Sequence, residues 1–164
     1  MSVIAARVTD LQILIAADSI LTKNDLKQSG FKKLIKTNNI VIGGCGCAAE
    51  LCLMFEFVEQ HSPKNSNMSS IIEFLKEFSD YKETVTGNKD LECEYILVVD
   101  SKLFVIDGFF VQHVKDYAAI GAGEAYALAA LHLGYNPSEA VKCACDLCCE
   151  TSEPIYTVSV NTFA

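Results

Sequence analysis

Residues 2–19, SVIAARVTDLQILIAADS, contain two apolar segments that are separated by the polar pair Thr9-Asp10. The first segment, residues 2–8, is rich in β-branched and small side chains, and β-branched side chains favour strands. Two such segments joined by a short polar turn predict a β-hairpin. The second segment, residues 11–17, is apolar at nearly every position, which indicates a strand that is covered on both faces. We therefore expect this hairpin to lie inside the fold.

The rest of the sequence predicts two pairs of helices separated by strands. The strand-like segments are residues 31–35, 40–42, 93–99, 103–106, 117–120 and 155–160. Apolar residues at helical spacing predict four helices. These cover residues 48–60, residues 124–133, residues 138–149 and a segment that Ser69 or Ser70 caps. The apolar face of that capped helix consists of Ile71, Phe74, Leu75 and Phe78. The glycine-rich residues 43–46 are expected to interrupt a strand, and residues 82–90 are expected to form a loop. Because helix pairs alternate with strands, we interpret residues 1–164 as a single α+β domain with helices outside and sheet inside.

The composition argues against several classes of protein. The 164 residues carry a formal net charge of −8, whereas a nucleic-acid-binding surface is basic. The same charge disfavours docking on an anionic membrane, and no apolar run reaches the about 18 residues of a membrane span. No signal peptide is recognisable in residues 1–17, so we expect a cytoplasmic protein without nucleic-acid or membrane partners. In that reducing compartment, the eight cysteines are expected to be small core residues rather than a disulfide framework.

Ser2 is the most informative residue of the hairpin. Removal of the initiator Met1 before so small a residue would leave Ser2 with both a hydroxyl and a free α-amine. An α-amine has a pKa of about 7.7–8.0, so it can accept a proton near neutral pH. One residue would then combine a nucleophile with its base. Serine is common at this position, so the idea depends on the rest of the sequence.

Several motifs along the chain resemble the proteasome β-subunit family, which includes the bacterial HslV peptidase. Ser2 leads one strand and Asp18 ends the next, with the family's spacing and without a gap. Further shared motifs are GFKKL at residues 30–34, IGG at residues 42–44 and AIGAG at residues 119–123. The resemblance covers nearly the whole chain. It implies the four-layer α-β-β-α sandwich of N-terminal nucleophile hydrolases.

The same resemblance implies a role for each of five residues. Ser2 would attack a peptide carbonyl, and Asp18 would hold the Lys33 ammonium beside it, where the ammonium lowers the pKa of the free amine by like-charge repulsion. The backbone N–H of Gly44 would contribute to the oxyanion hole. Ser152 would match a serine that stands just before the last strand. The resemblance implies no cofactor and no metal ion.

Two positions depart from the family pattern. Ala122 stands where the family's Gly-x-Gly turn usually carries a serine. Cys149 stands where the family often has an aspartate three residues before Ser152, and the neighbouring Glu150 is an alternative carboxylate. A shifted alignment places Met1 at the nucleophile position and predicts an inactive site.

Two further motifs suggest ligand sites, but each has a simpler interpretation. Cys143, Cys145, Cys148 and Cys149 share one predicted helix, and four ligands on one helix cannot surround a tetrahedral zinc ion. Residues 121–127 loosely match a dinucleotide-binding fingerprint, but a second helix follows them instead of the strand of a βαβ unit. We therefore expect neither a zinc site nor a nucleotide site there.

The first functional hypothesis is a proteasome/HslV-like peptidase that uses Ser2 after removal of Met1. As the resemblance implies, it would form a ring-shaped homo-oligomer, cleave peptides or unfolded proteins, and work with an ATP-dependent unfoldase. A second hypothesis is an inactive scaffold or ring subunit that keeps Met1. A third is an amidohydrolase that acts on small amides.

Overall fold

The N-terminal hairpin forms as its sequence predicts. Strands β1 (Ile4–Val8) and β2 (Gln12–Ala17) pair in antiparallel register from Ile4 opposite Ala17 to Val8 opposite Ile13. The computed structural model describes residues 2–23 and 26–162. The processing of Met1, on which the activity hypothesis depends, therefore lies outside the described residues.

Two antiparallel sheets are stacked at the centre of the fold. The first sheet has the order β10-β1-β2-β11 and adds β10 (Tyr117–Ile120) and β11 (Tyr156–Asn161) to the hairpin. The second sheet has the order β5-β6-β7-β8-β9. Its strands are β5 (Leu34–Lys36), β6 (Ile40–Cys45), β7 (Glu94–Val99), β8 (Lys102–Asp107) and β9 (Phe110–Val114). A separate antiparallel pair consists of β3 (Leu21–Lys23) and β4 (Leu26–Gln28).

Each sheet is covered by one pair of helices. Helices α1 (Ala48–Phe57) and α2 (Met68–Thr86) pack on the second sheet, and α3 (Glu124–His132) and α4 (Pro137–Leu147) pack on the first. The predicted four-layer α-β-β-α sandwich is confirmed. Two of these helices begin earlier than their sequence suggests: Asn67 caps α2 and Asn136 caps α4, each by accepting a backbone N–H bond.

The core explains why the hairpin is apolar on both faces. Ile4 and Ile15 face the other sheet, whereas Ala5 and Ala16 face α3 and α4. Helices α3 and α4 also carry alanines, including Ala140, on the side that packs against this sheet. Small side chains on both surfaces let the helices lie close to the sheet. The alternation of large and small residues along each strand therefore decides which layer it meets.

The observed elements differ from the prediction in several places. Strand β6 continues through residues 43–45 instead of breaking, and a Cβ on Gly43 would overlap with Leu34 Cδ2. Glycine therefore permits close packing in the strand and does not end it. Helix α2 continues to Thr86, so the first part of the predicted loop at residues 82–90 is helical. The β3–β4 pair and β9 were not predicted, because these short segments carry little apolar periodicity.

No described helix combines the length and the apolar character that are needed to cross a membrane.

Candidate active site

Ser2 lies two residues before β1, next to the turn that follows β10. The residue is 4% exposed. Its carbonyl oxygen accepts the backbone N–H of Gly123 at 3.1 Å. Next to it, Val3 N–H donates to Asp18 Oδ1 at 2.9 Å, and Asp18 N–H donates to Val3 O at 3.1 Å. The backbone around Ser2 is therefore held from both sides.

The Asp18 carboxylate is the centre of the site. It is fully buried and directly follows β2. Besides the N–H of Val3, it accepts Lys33 Nζ at 2.7 Å and the N–H groups of Ile20 and Ser152, each at 3.3 Å. A buried charge is tolerated when it is paired and fully hydrogen-bonded. Asp18 thus joins the nucleophile strand, the lysine and the segment before β11.

Lys33 brings a second charge to the same place. It directly precedes β5, and its residue exposure is 2%. Its Nζ atom lies 2.7 Å from Asp18 Oδ1. The two charges compensate each other, so the ion pair has no net charge with which to bind an ionic substrate group.

A cleft of about 130 Å³ opens beside these residues. Its lining contains the nucleophile candidate and the lysine, two glycines, and a mostly apolar wall. These lining residues are Ser2, Lys33, Gly44, Gly46, Ile20, Leu21, Thr22, Phe31, Ala48 and Leu51. Three of the five predicted site residues, Ser2, Lys33 and Gly44, therefore line one cleft, although they come from three separate segments of the chain.

The two glycines of the cleft lie in different backbone surroundings. Gly44 N–H donates to Lys33 O at 3.1 Å, as part of the contact between β6 and the residue before β5. This bond occupies the donor that the sequence analysis assigned to the oxyanion hole. Gly46 follows the end of β6 and has a φ of +135°. A Cβ there would lie 2.7 Å from Glu92 O, so this turn requires glycine.

Ser152 reaches the site through its backbone and not through its hydroxyl. Its N–H donates to Asp18, and its carbonyl accepts the N–H of Ser19 at 3.2 Å. Its hydroxyl donates to Glu153 O at 3.3 Å. Glu150, the alternative carboxylate, makes no hydrogen bond to Asp18 or Lys33 within the part of the chain that the structure describes.

Two residues near the site were missed by the sequence analysis. Cys45 is buried, and burial raises the pKa of its thiol, an effect to which the Asp18 and Glu94 carboxylates add. The Lys33 charge and a hydrogen bond with Ser2 act in the opposite direction and are weaker. Glu94 accepts the N–H of Gly121 at 3.0 Å. The hydrogen bond between Cys45 and Ser2 and the one between Glu94 and Gly121 both connect the two sheets, so no local sequence signal could have indicated them.

The cysteines are free thiols with different surroundings. Cys45 and Cys93 are buried, as expected for small core residues, but Cys52 and Cys149 are exposed. The prediction of a core role is therefore wrong for those two. Over residues 2–23 and 26–162, no group of three or more His, Cys, Asp or Glu side chains is placed to hold a metal ion.

Solved structures share this architecture over their full length. Thiobacillus denitrificans BPH has a TM-score of 0.86 and 19% sequence identity, and the match covers 98% of this chain and 98% of that chain. BPH of the same organism in complex with epoxomicin has a TM-score of 0.85 and 16% identity, covering 99% and 100%. The eukaryotic HslV of Trypanosoma brucei has a TM-score of 0.72 and 20% identity, covering 98% and 99%. The chain has the HslV-like fold.

Sequence comparison gives no such link. No protein-family model matches the chain, and no curated protein matches it. The HslV-like fold is therefore established by structure at low sequence identity, and it confirms the resemblance that the short motifs indicated.

Proposed function

We propose that this chain is a peptidase in which Ser2, exposed by removal of Met1, is the nucleophile. The observation that carries the proposal is the buried Asp18–Lys33 ion pair at a cleft that Ser2 lines. The HslV-like fold supports the same reading, because solved structures with this fold include an HslV and a protein bound to epoxomicin.

In this reaction, Ser2 Oγ attacks the carbonyl carbon of a peptide bond. The hydroxyl proton passes to the α-amine of Ser2 and from there to the leaving nitrogen as the peptide C–N bond breaks. An ester then joins Ser2 to the substrate's acyl part, and water hydrolyses it with the same amine as base. Lys33 stabilises negative charge that develops on Oγ, and Asp18 keeps the ammonium in position.

The oxyanion of the tetrahedral intermediate needs a donor other than Gly44. Gly46 lines the same cleft, two residues further along, in the turn before α1. We assign the oxyanion role to the backbone N–H of Gly46. Such a donor accounts for about 2.7–4 kcal/mol of transition-state stabilisation in well-studied hydrolases.

The proposed assembly is a ring-shaped homo-oligomer that receives unfolded protein from an ATP-dependent unfoldase in the cytoplasm. Exposed apolar side chains at the ends of α3 and α4 support an oligomer. Leu133, which follows α3, is 75% exposed, and Leu147, the last residue of α4, is 61% exposed. Native mass spectrometry of the purified chain tests this assembly directly, and a monomer at micromolar concentration would contradict it.

Three measurements test the peptidase proposal. Intact mass should show loss of Met1, and epoxomicin should add its mass to the chain, because a peptide epoxyketone reacts with a hydroxyl and a free α-amine on one residue. Ser2→Ala should abolish both epoxomicin labelling and peptide cleavage. Ser159→Ala changes an exposed serine of β11 and should leave both unchanged. Unchanged cleavage by Ser2→Ala would falsify the assignment of the nucleophile.

The inactive ring subunit is the second candidate, and Ala122 favours it. This residue has no hydrogen-bonding side chain to place in the turn beside Ser2. A chain that keeps Met1 and is not labelled by epoxomicin would support this candidate. A chain that loses Met1 and hydrolyses only small amides would support an amidohydrolase instead.

A further inference from the structure

The Glu94 carboxylate connects the two sheets beside the candidate nucleophile. Glu94 is the first residue of β7 in the second sheet, opposite Cys45 of β6. Its Oε2 atom accepts the N–H of Gly121 at 3.0 Å. Gly121 directly follows β10 of the first sheet. The bond therefore ties a side chain of one sheet to a turn that belongs to the other.

That turn, residues 121–123, is wrapped around the carbonyl of Ser2. Gly123 N–H donates to Ser2 O at 3.1 Å. At the other end of the turn, Gly121 has a φ of +92°, and a Cβ on it would lie 2.6 Å from Ser2 O. The position of the turn therefore determines the position of the Ser2 backbone.

Glu94 is the side chain that fixes the near end of this turn. Ala122, in the middle, has no hydrogen-bonding side chain, and among the described residues its carbonyl accepts a hydrogen bond from the Cys148 thiol, at 3.8 Å. Gly121 O accepts the N–H of Glu124 at 2.9 Å, which joins the turn to α3.

We propose that Glu94 is a positioning residue for Ser2. Its carboxylate holds the N–H of Gly121, the turn then holds the Ser2 carbonyl through Gly123, and the hydroxyl and α-amine of Ser2 are thereby aimed into the cleft. Glu94 itself does not touch the substrate. This role in catalysis rests on the proposed peptidase function, whereas the role in holding the turn does not.

Three variants separate this role from general damage to the fold. Glu94→Ala removes the acceptor, and Glu94→Gln keeps an acceptor oxygen without the charge. Asp107→Ala is the matched control, because Asp107 pairs with Glu94 in register on β8 and is exposed. If the alanine variant does not fold, Glu94→Asp serves instead, since its shorter side chain draws the carboxylate back from Gly121.

The first readout is hydrogen–deuterium exchange in a peptide spanning residues 117–124, which requires no activity. Exchange should be faster in Glu94→Ala, close to wild type in Glu94→Gln and unchanged in Asp107→Ala. The second readout is steady-state cleavage. Because a displacement of about 1 Å can cost up to about 100-fold in rate, kcat should fall about 10- to 100-fold in Glu94→Ala with KM unchanged. Glu94→Gln should recover most of this loss.

Two results overturn the proposal. Wild-type exchange of residues 117–124 in Glu94→Ala would show that the carboxylate does not hold the turn. An equal loss of kcat in Glu94→Gln and Glu94→Ala would show that charge, and not the hydrogen bond, is what matters. If the wild-type chain shows no Ser2-dependent cleavage, the proposed function fails, while the exchange measurement still decides whether Glu94 holds the turn.

Discussion

Lys33 Nζ lies 2.7 Å from Asp18 Oδ1, in a part of the fold where neither side chain is more than 3% exposed. Asp18 also accepts three backbone N–H groups, which come from Val3, Ile20 and Ser152. These bonds compensate for the loss of water around the carboxylate. The ion pair thus connects three separate segments at the point where Ser2 meets the cleft.

Removal of the Lys33 charge should destabilise the fold, because the buried Asp18 charge is then unpaired. We expect Lys33→Met to lower the free energy of unfolding by about 3–5 kcal/mol, because the Asp18 carboxylate is left without its cation. Urea unfolding monitored by circular dichroism measures this change. Lys142→Met is the control: Lys142 pairs with Asp146 and Glu153 on the surface, where such a pair contributes about 0–1 kcal/mol.

The double variant Asp18→Asn, Lys33→Met tests the coupling between the two charges. Its loss of stability should be smaller than the sum of the two single losses, by about 0.5–3 kcal/mol. Additive losses would contradict a direct interaction between these side chains.

The sequence predicts those features of the fold and the site that depend on residues close together in the chain. It does not predict features that depend on contacts between distant segments. The hairpin and the helices carry their own periodicity, so their positions are predictable from nearby residues. The continuation of β6 through Gly43 is different, because it depends on the close packing of Leu34, which lies opposite Gly43 on the paired strand β5. Asp18 and Lys33 were predicted from the resemblance. Glu94 was not, because its partner Gly121 lies in the turn that follows β10 of the other sheet.

The buried ion pair between Glu50 and Lys82 predicts how the stability of the fold depends on pH. Burial by itself raises the pKa of Glu50, but hydrogen bonds from Lys82, Tyr95 and two backbone N–H groups outweigh it and lower the pKa below 4.5. The unfolded chain then binds this proton more tightly than the folded chain does. The contribution of Glu50 to stability is present above pH 4.5 and is lost as the pH falls through the folded-state pKa.

Glu50→Gln should therefore have a lower free energy of unfolding than wild type at neutral pH. Below about pH 4, the difference in free energy of unfolding between the two proteins should become smaller. Urea unfolding of both chains at several pH values measures this. Glu73→Gln is a suitable control, because the Glu73 carboxylate pairs with Lys64 on the surface, where both side chains are exposed. A difference between wild type and Glu50→Gln that does not vary with pH would contradict the lowered pKa.

Gly46→Ala should impair catalysis more than folding. A Cβ at this position would lie 2.7 Å from Glu92 O, so the turn and its N–H must move. Loss of one oxyanion donor lowers kcat by about 100- to 1,000-fold in known hydrolases. Gly87→Ala is the matched control, because Gly87 also has a positive φ, +75°, but has open space around it at the end of α2. Both variants should lose some stability, and only Gly46→Ala should lose activity; equal kcat values for the two would contradict the oxyanion role of Gly46.

The cleft predicts cleavage after small and medium apolar residues. Ile20, Leu21 and Phe31 line it, and the paired Lys33 leaves no net charge for an arginyl or glutamyl side chain. The cleft is small, with a volume of about 130 Å³, so we expect an indole ring to be accommodated less well than an aliphatic side chain. We therefore expect fluorogenic peptides ending in leucine, valine or alanine to have higher kcat/KM values than those ending in arginine, glutamate or tryptophan.

Filling the cleft should shift this preference towards smaller side chains. Ala48, the first residue of α1, lines the cleft, whereas the neighbouring Ala49 is exposed and does not. Ala48→Leu should lower kcat/KM for leucyl peptides about 10- to 200-fold, the range known for mismatched methylene groups, and should affect alanyl peptides less. Ala49→Leu adds the same side chain one position away and should change neither value. Equal losses for leucyl and alanyl peptides in Ala48→Leu would mean that the cleft does not hold the side chain next to the cleaved bond.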